Sequence, residues 1–120
     1  MDITLWTKEL ISSIDAKDAT KFADFFAEDG TFIFGNFPAV AGKSNVKDFV
    51  NSFFDSIKSL KHNQLGIIQD KNKIVVWGVV TYTRHNGTEY PVKFCNIFDM
   101  DGDKIKTYDV YVDNSKLYVE

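Results

Sequence analysis

Three long β-type runs crowd the second half of the chain and follow one another with almost nothing between them. Residues 74–84 read IVVWGVVTYTR, residues 90–100 come next, and residues 104–112 come last. β-Branched and aromatic side chains dominate, as half-buried pleated strands favour. The links carry Asn86-Gly87 and Asp101-Gly102, dipeptides suited to the positive φ of tight hairpin turns. Consecutive hairpins build an antiparallel meander. Strands this long, beside an N-terminal half that reads as helical, imply a strongly curved sheet wrapped around helices. Such a cone encloses a pocket, so the sequence points to a ligand cavity before it points to any reaction.

The first half alternates helices with short extended pieces. Ile3, Trp6, Leu10 and Ile14 recur at helical spacing, Leu5 and Ile11 widen the stripe, and Asp2 and Thr4 are candidate caps. Asp15-Ala16-Lys17-Asp18 breaks this helix. Asp18 then caps a second one, in which Phe22, Phe25 and Phe26 crowd one side and Gly30 supplies the C-terminal cap. Residues 31–34 form a short strand and residues 35–38 a turn. A third helix, capped by Ser44 or the residue just before it, carries Val46, Phe49, Val50, Phe53, Ile57 and Leu60 on one face. A strand over about residues 61–69 and a turn at residues 70–73 lead into the three long runs. The order α-α-β-β-α-β-β-β-β, with helices segregated to one face of the sheet, is an α+β fold.

The totals exclude several classes. A chain of 120 residues is one domain, and 44% apolar composition with 11 phenylalanines calls for a large apolar interior or an interface. A net charge of −3 offers no electrostatic footprint for nucleic acid. The single cysteine, Cys95, excludes an internal disulfide and multi-cysteine zinc sites. No basic stretch followed by an apolar one opens the sequence, and no apolar run is long enough to span a bilayer. The expectation is a cytoplasmic protein with no membrane or nucleic-acid partner, no metal and no cofactor. Asp99-Met100-Asp101-Gly102-Asp103 has its glycine at the wrong step for a calcium loop, and Val110 stands where the closing glutamate belongs.

Several passages resemble a known superfamily in order and spacing. Phe25-Phe26-Ala27-Glu28-Asp29-Gly30-Thr31-Phe32 resembles the helix-to-strand passage of the nuclear transport factor 2-like superfamily, in its SnoaL-like branch. Ala41-Gly42-Lys43 resembles the start of that family's third helix. Asp101-Gly102-Asp103-Lys104-Ile105, followed by Tyr108, Tyr111 and Asp113, resembles its ending. The resemblance implies a cone-shaped, cystatin-like sheet packed on three N-terminal helices, often dimeric through the sheet's convex face. Members of the superfamily include ketosteroid isomerase, scytalone dehydratase, polyketide cyclases and pure binding modules, so the fold alone leaves the function open.

Matching strands to the family implies which side chains face the pocket. Trp77, Val79, Thr81 and Thr83 are expected on the concave face, with Val92, Phe94, Asn96 and Phe98 from the next strand and Tyr108, Val110 and Val112 from the last. Val80, Tyr82, Cys95, Asp109 and Tyr111 are expected on the convex face, apolar enough for a homodimer interface. Phe22, Phe26, Phe34 and Phe53 complete the expected pocket wall, although the same rings would serve equally to fill the cone. The positions that match the isomerase base, tyrosine and second acid hold Phe34, Leu10 and Asn96, a set unable to abstract a proton.

Three polar residues remain as candidates. Asn96, between apolar neighbours, is either a donor to a ligand oxygen or an amide satisfied by Tyr108 or a buried water. Tyr108 is either that oxygen's second partner or a core tyrosine. His62 is either a pocket base, oriented by Asn63 or a carboxylate, or the solvated start of a strand. Asp109 becomes an acid/base candidate only if its strand slips by one residue. Three functions follow: an acid/base isomerase, cyclase or dehydratase acting on a small apolar, carbonyl-bearing molecule; a non-catalytic binder with the same pocket; or a dimeric protein-interaction module.

Overall fold

The computed structural model describes residues 1–119. Helix α1 (Ile3–Asp15) begins where Asp2 turns back on the chain, its Oδ1 accepting from the Thr4 and Leu5 amides at 3.0 and 3.1 Å. Trp6, Leu10, Ile11 and Ile14 are buried by this helix, whereas Leu5 faces solvent. Helix α2 (Ala19–Ala23) is capped by Asp18, which accepts from the Lys21 amide at 3.0 Å. It is shorter than its phenylalanine spacing suggests. Phe26 opens strand β1 (Phe26–Phe34) instead, paired with Ile105, while the Ile105 amide donates to the Phe25 carbonyl at 2.9 Å. Pairing with a distant strand thus overrides a local helical pattern. Gly30 is not a helix cap but a residue of β1, where a Cβ would come within 2.9 Å of the Ile105 carbonyl oxygen.

Strand β2 (Val40–Ala41) leads into helix α3 (Lys43–Asp55), whose N-cap is Gly42 at a φ of 93° rather than Ser44. Ile57 and Leu60, expected on the last turn of α3, lie beyond it and are buried all the same. Strands β3 (Ser59–Asp70), β4 (Lys73–Thr83), β5 (Glu89–Asp101) and β6 (Lys104–Val112) complete the expected order of elements. The six strands form one curved sheet in the order β2-β1-β6-β5-β4-β3, with the helices on its concave side. Its neighbours are antiparallel except β1 and β6, which run parallel. That pair departs from the all-antiparallel expectation because α3 and four strands intervene before the chain returns beside β1.

The faces of β4 are the main correction. Opposed residues in a sheet share a face. Asn96 lies opposite Val76 and Val110, and Phe98 lies opposite Ile74 and Tyr108. The concave residues of β4 are therefore Ile74, Val76, Val80 and Tyr82, all buried. Trp77, Val79, Thr81 and Thr83 turn outward. A two-residue Asn86-Gly87 turn would pair His85 with Thr88 and bring odd-numbered residues of β4 opposite even ones of β5. The connection instead runs over five residues, with Thr83 opposite Glu89 and the Arg84 amide donating to the Thr88 carbonyl at 2.8 Å. One residue of loop reverses every side chain of one strand relative to the other. Strands β5 and β6 keep the expected faces, with Phe94, Asn96, Phe98, Tyr108 and Val110 buried.

Strand β3 carries a bulge. Asn63 pairs with Val79 and Gly66 with Trp77, so Gln64 and Leu65 together oppose Gly78. Gln64 takes a φ of 56°, and a Cβ on Gly78 would lie 2.6 Å from the Asn63 carbonyl oxygen. Glycine there makes room for the extra residue. Because His62 pairs with Val80, which faces inward, the same loop that turns Trp77 out turns His62 in. No helix among the described residues is long and apolar enough to cross a membrane.

Candidate functional site

The cone narrows to a cavity of about 50 Å³. Helix α1 contributes Ile14, α2 contributes Phe22, and α3 contributes Phe49, Val50, Phe53 and Phe54. The sheet contributes Phe32, Phe34, Leu60, His62, Val80, Tyr82, Phe94, Asn96, Tyr108, Val110 and Val112. At about 10–15 Å³ for each water centre, the space holds a few waters, whereas pockets for small molecules commonly measure about 300–1,000 Å³. Aromatic packing explains the narrowness. Phe34 and Phe53 meet edge to face at 4.8 Å, and Phe98 lies 4.2 Å from the Tyr108 ring.

Four expected wall residues lie elsewhere. Phe26 is buried behind the wall, stacked on Tyr108 at 6.0 Å and tilted against Phe22 at 5.4 Å. Trp77, Val79 and Thr81 stand on the convex face, for the reason of register given above. Asp109 pairs with Ile97 and Ile33, opposite in parity to the inward Tyr108 and Val110, and stays outside the cavity.

His62 stands in the wall with its side chain 8% exposed. Its Nδ1 lies 2.5 Å from Oδ1 of Asp15, and its backbone amide donates to Oδ2 of the same carboxylate at 3.1 Å. A carboxylate can only accept, so Nδ1 carries a proton, and in the neutral ring the lone pair is on Nε2. The Phe94 ring meets the imidazole edge to face at 5.1 Å. Asp15 is the last residue of α1, and its position is fixed from below. Lys17, at a φ of 55°, sends its ammonium to the Ile57 and Lys58 carbonyls at 3.0 and 3.1 Å. Sequence reasoning left the partner of His62 open between Asn63 and a carboxylate. The Asp15-Ala16-Lys17-Asp18 break between helices was the available signal, since a carboxylate at a helix end has the freedom to reach across.

Asn96 and Tyr108 form the second polar element. Both are 2% exposed, and Asn96 Nδ2 donates to the Tyr108 hydroxyl at 3.2 Å. Asn96 Oδ1 is closed off from solvent and has no hydrogen-bond partner among the described residues. Burial pushes the Tyr108 hydroxyl well above the usual tyrosine range, with the nearby Tyr82 adding to the effect. The phenol therefore stays neutral, and since it accepts from Asn96, its own proton is free to be donated. The two polar elements sit well apart on the sheet. His62 shares a row with Val80 and Val92, and Asn96 lies two strands across and four residues along. On a flat sheet that is roughly 16 Å between backbones, a span that curvature and side-chain length shorten toward the cavity.

The comparisons agree with this architecture. A family model described as a SnoaL-like domain matches residues 7–108. No curated protein matches the chain in sequence. Among solved structures, a candidate polyketide cyclase from Xanthomonas campestris superposes with a TM-score of 0.85 at 17% identity, covering 95% of this chain and 92% of that one. An NTF2-like protein of unknown function from Burkholderia pseudomallei gives 0.84 at 16% identity, over 95% and 92% of the two chains. A ketosteroid isomerase-like fold from Catenulispora acidiphila, solved in complex with trimethylamine, gives 0.82 at 12% identity, over 88% and 83%. Such identities establish a shared fold and carry no activity across. With the family model spanning the cone from its first helix to Tyr108, the chain belongs to the SnoaL-like domain family.

Proposed function

We propose that the protein is an acid/base catalyst for a small, largely apolar molecule bearing a carbonyl group, with His62 as the base. The observation that carries this reading is the Asp15–His62 pair in the cavity wall. Asp15 fixes the tautomer that leaves Nε2 able to take a proton from the carbon next to the carbonyl. The electron pair of that C–H bond moves onto the carbonyl oxygen. The Tyr108 hydroxyl, held by Asn96, stabilises the enolate oxygen by donation. Return of the proton from His62 to a different carbon gives isomerisation. Its transfer to a departing β-hydroxyl gives dehydration, with water as the leaving group. Asp15 acts through His62 and is a positioning residue.

The test is exchange of α-protons for deuterium in D₂O, followed by NMR on a panel of small cyclic ketones. Exchange faster than free imidazole at equal concentration, lost in His62→Ala and reduced in Asp15→Asn, supports the reading. Exchange at the imidazole rate across the panel, unchanged in His62→Ala, overturns it and leaves a non-catalytic binder. The same reading includes a homodimer through the convex face, where Ile68, Trp77 and Tyr111 stay 58%, 42% and 57% exposed. The Trp77 indole lies across Gly66, where a Cβ would approach its ring to 2.2 Å. An indole laid flat on a glycine makes an apolar platform suited to a second copy. The unpaired Cys95 thiol suits a reducing compartment such as the cytoplasm.

A further inference from the structure

The helices pack on the concave side of the sheet, and strand pairing sorts the other face into rows. The middle row runs Trp77, Cys95, Tyr111 across β4, β5 and β6. On one side of it Val79 pairs with Lys93. On the other, Asp109 stands between Ile97 and Ile33. These three rows hold two charged side chains, one of each sign. Lys93 is exposed and Asp109 is half-buried between its two isoleucines. Neither has an ion-pair partner among the described residues. The other charges nearby are already engaged. Asp113, the residue after β6, turns its carboxylate to the Ser115 amide at 3.0 Å, and Lys73 and Asp99, one row further out, hold each other.

The two free charges are placed symmetrically. Cys95 lies opposite Tyr111, Lys93 is two residues before Cys95, and Asp109 is two residues before Tyr111 on an antiparallel strand. They therefore stand at equal distances on opposite sides of the middle row. Strand geometry separates them by about 14 Å along the strands and about 5 Å across, too far for contact within one chain. A two-fold axis lying in the plane of the face brings them together between chains. It passes between Cys95 and Tyr111, at right angles to the line joining the two charges. Rotation about it lays Lys93 over Asp109 of a second copy, and Asp109 over the second copy's Lys93. The line joining the charges is inclined by about 20° to the strands, so the strands of the two copies cross at about 40°, near the roughly 30° of aligned sheet packings. Facing sheets lie about 10 Å apart, a gap that a lysine and an aspartate side chain bridge together. Trp77 and Tyr111, both exposed, lie close to the axis and fill the centre.

We propose that two copies of this chain pack their convex faces about this axis, held in register by two reciprocal Lys93–Asp109 ion pairs. This rests on the homodimer included in the proposed function and adds what an apolar face leaves open, its orientation and its choice of partner. Apolar contact alone tolerates many registers, whereas opposite charges fix one and penalise the rest. A second copy supplies both charges at the required spacing. Asp109, which stays outside the cavity, thereby has a role on the opposite face. The catalytic pair is not involved, since His62 turns inward.

The experiment exchanges charges between chains and follows the dimer by sedimentation and light scattering. Lys93→Glu or Asp109→Lys alone sets like charges against each other at both contacts and should weaken the dimer by about a hundredfold or more. An equimolar mixture of the two single variants should dimerise again, because every contact then joins a lysine to an acid. Recovery in the mixture also shows that both variants are folded. A zero-length carbodiimide supplies a second readout. It should give a covalent dimer of the unaltered protein, in which mass spectrometry finds an amide bond between Lys93 and Asp109. Single variants that stay dimeric, a mixture that stays monomeric, or cross-links between other residues only would each overturn the proposal. Trp77→Lys separates this register from the face itself. A dimer lost in Trp77→Lys but kept in both charge reversals leaves the face standing and removes the register. A dimer that survives Trp77→Lys, or an unaltered protein that is monomeric at every concentration, removes both.

Discussion

Replacing Asn96 by leucine is expected to make the protein more stable. The side chain is buried, its Oδ1 has no partner, and its one hydrogen bond, to Tyr108, is 3.2 Å long. Losing that bond leaves the buried Tyr108 hydroxyl without a partner, at about 1–3 kcal/mol, while removing an unsatisfied buried oxygen returns a similar amount. Burying an aliphatic side chain in its place adds about 1–2 kcal/mol, and the adjoining cavity of about 50 Å³ gives room for the two methyl groups that replace the smaller amide oxygen and nitrogen. The net gain is about 1 kcal/mol, a rise in Tm of about 3–5 °C for a domain of this size. Thermal and urea unfolding measure it directly. Tyr108→Phe should behave in the opposite sense, because it leaves the whole amide unpaired, at a loss of about 1–2 kcal/mol. The double variant should recover the gain, so the two effects do not add. A fall in Tm for Asn96→Leu, with additive effects in the double variant, would refute the reasoning and make Asn96 a structural amide. A gain in stability at a conserved-shape site is what a residue kept for chemistry rather than for folding produces.

Three further outcomes are expected. Burial pushes the Tyr82 hydroxyl up to about 12, so between pH 10 and 12 the unfolded chain releases this proton while the folded one holds it. This group's contribution to stability is full below pH 10 and falls by up to about 1.4 kcal/mol per pH unit above it; the gap between urea midpoints at pH 9 and 11 should narrow in Tyr82→Phe without closing, because the buried Tyr108 hydroxyl acts in the same sense, and an unaltered gap would contradict this. Trp77→Lys places a charge at the centre of the convex face and should turn a dimer into a monomer by light scattering, with amide shifts around the cavity unchanged; a dimer that persists removes that face as the interface. Lys17→Met deletes both bonds from the ammonium to the Ile57 and Lys58 carbonyls and should cost about 1–3 kcal/mol, and a neutral result in urea unfolding would show that α1 holds Asp15 unaided.

The order of elements was legible because each long segment has one dominant period. Leu10 and Ile14 mark a helix, and the run from Ile74 marks a strand, whatever surrounds them. Phe25 and Phe26 misled because three phenylalanines at helical spacing also suit a strand once Ile105 is available to pair with Phe26. The faces of β4 were not legible, because they hang on the length of one hairpin loop, and Asn86-Gly87 fits both a two-residue turn and the five-residue connection that forms. Among the site residues, Asn96 and Tyr108 were findable from alternation within β5 and β6. Asp15 was marked only as a carboxylate at a helix end, since nothing local links it to a histidine 47 positions later.

The bulge at Gln64 and Leu65 has a consequence for how relatives of this protein diverge. Loss of the Gln64 codon alone would leave Asn63 opposite Val79 and Gly66 opposite Trp77, so the core pairing would survive the deletion. The local twist that the extra residue adds to β3 would go, and with it the angle at which His62 meets Asp15. A single in-frame deletion thus separates a lineage that keeps the pair from one that keeps only the cone, without passing through an unfolded intermediate. The codon that decides this lies two positions from His62, on the same strand.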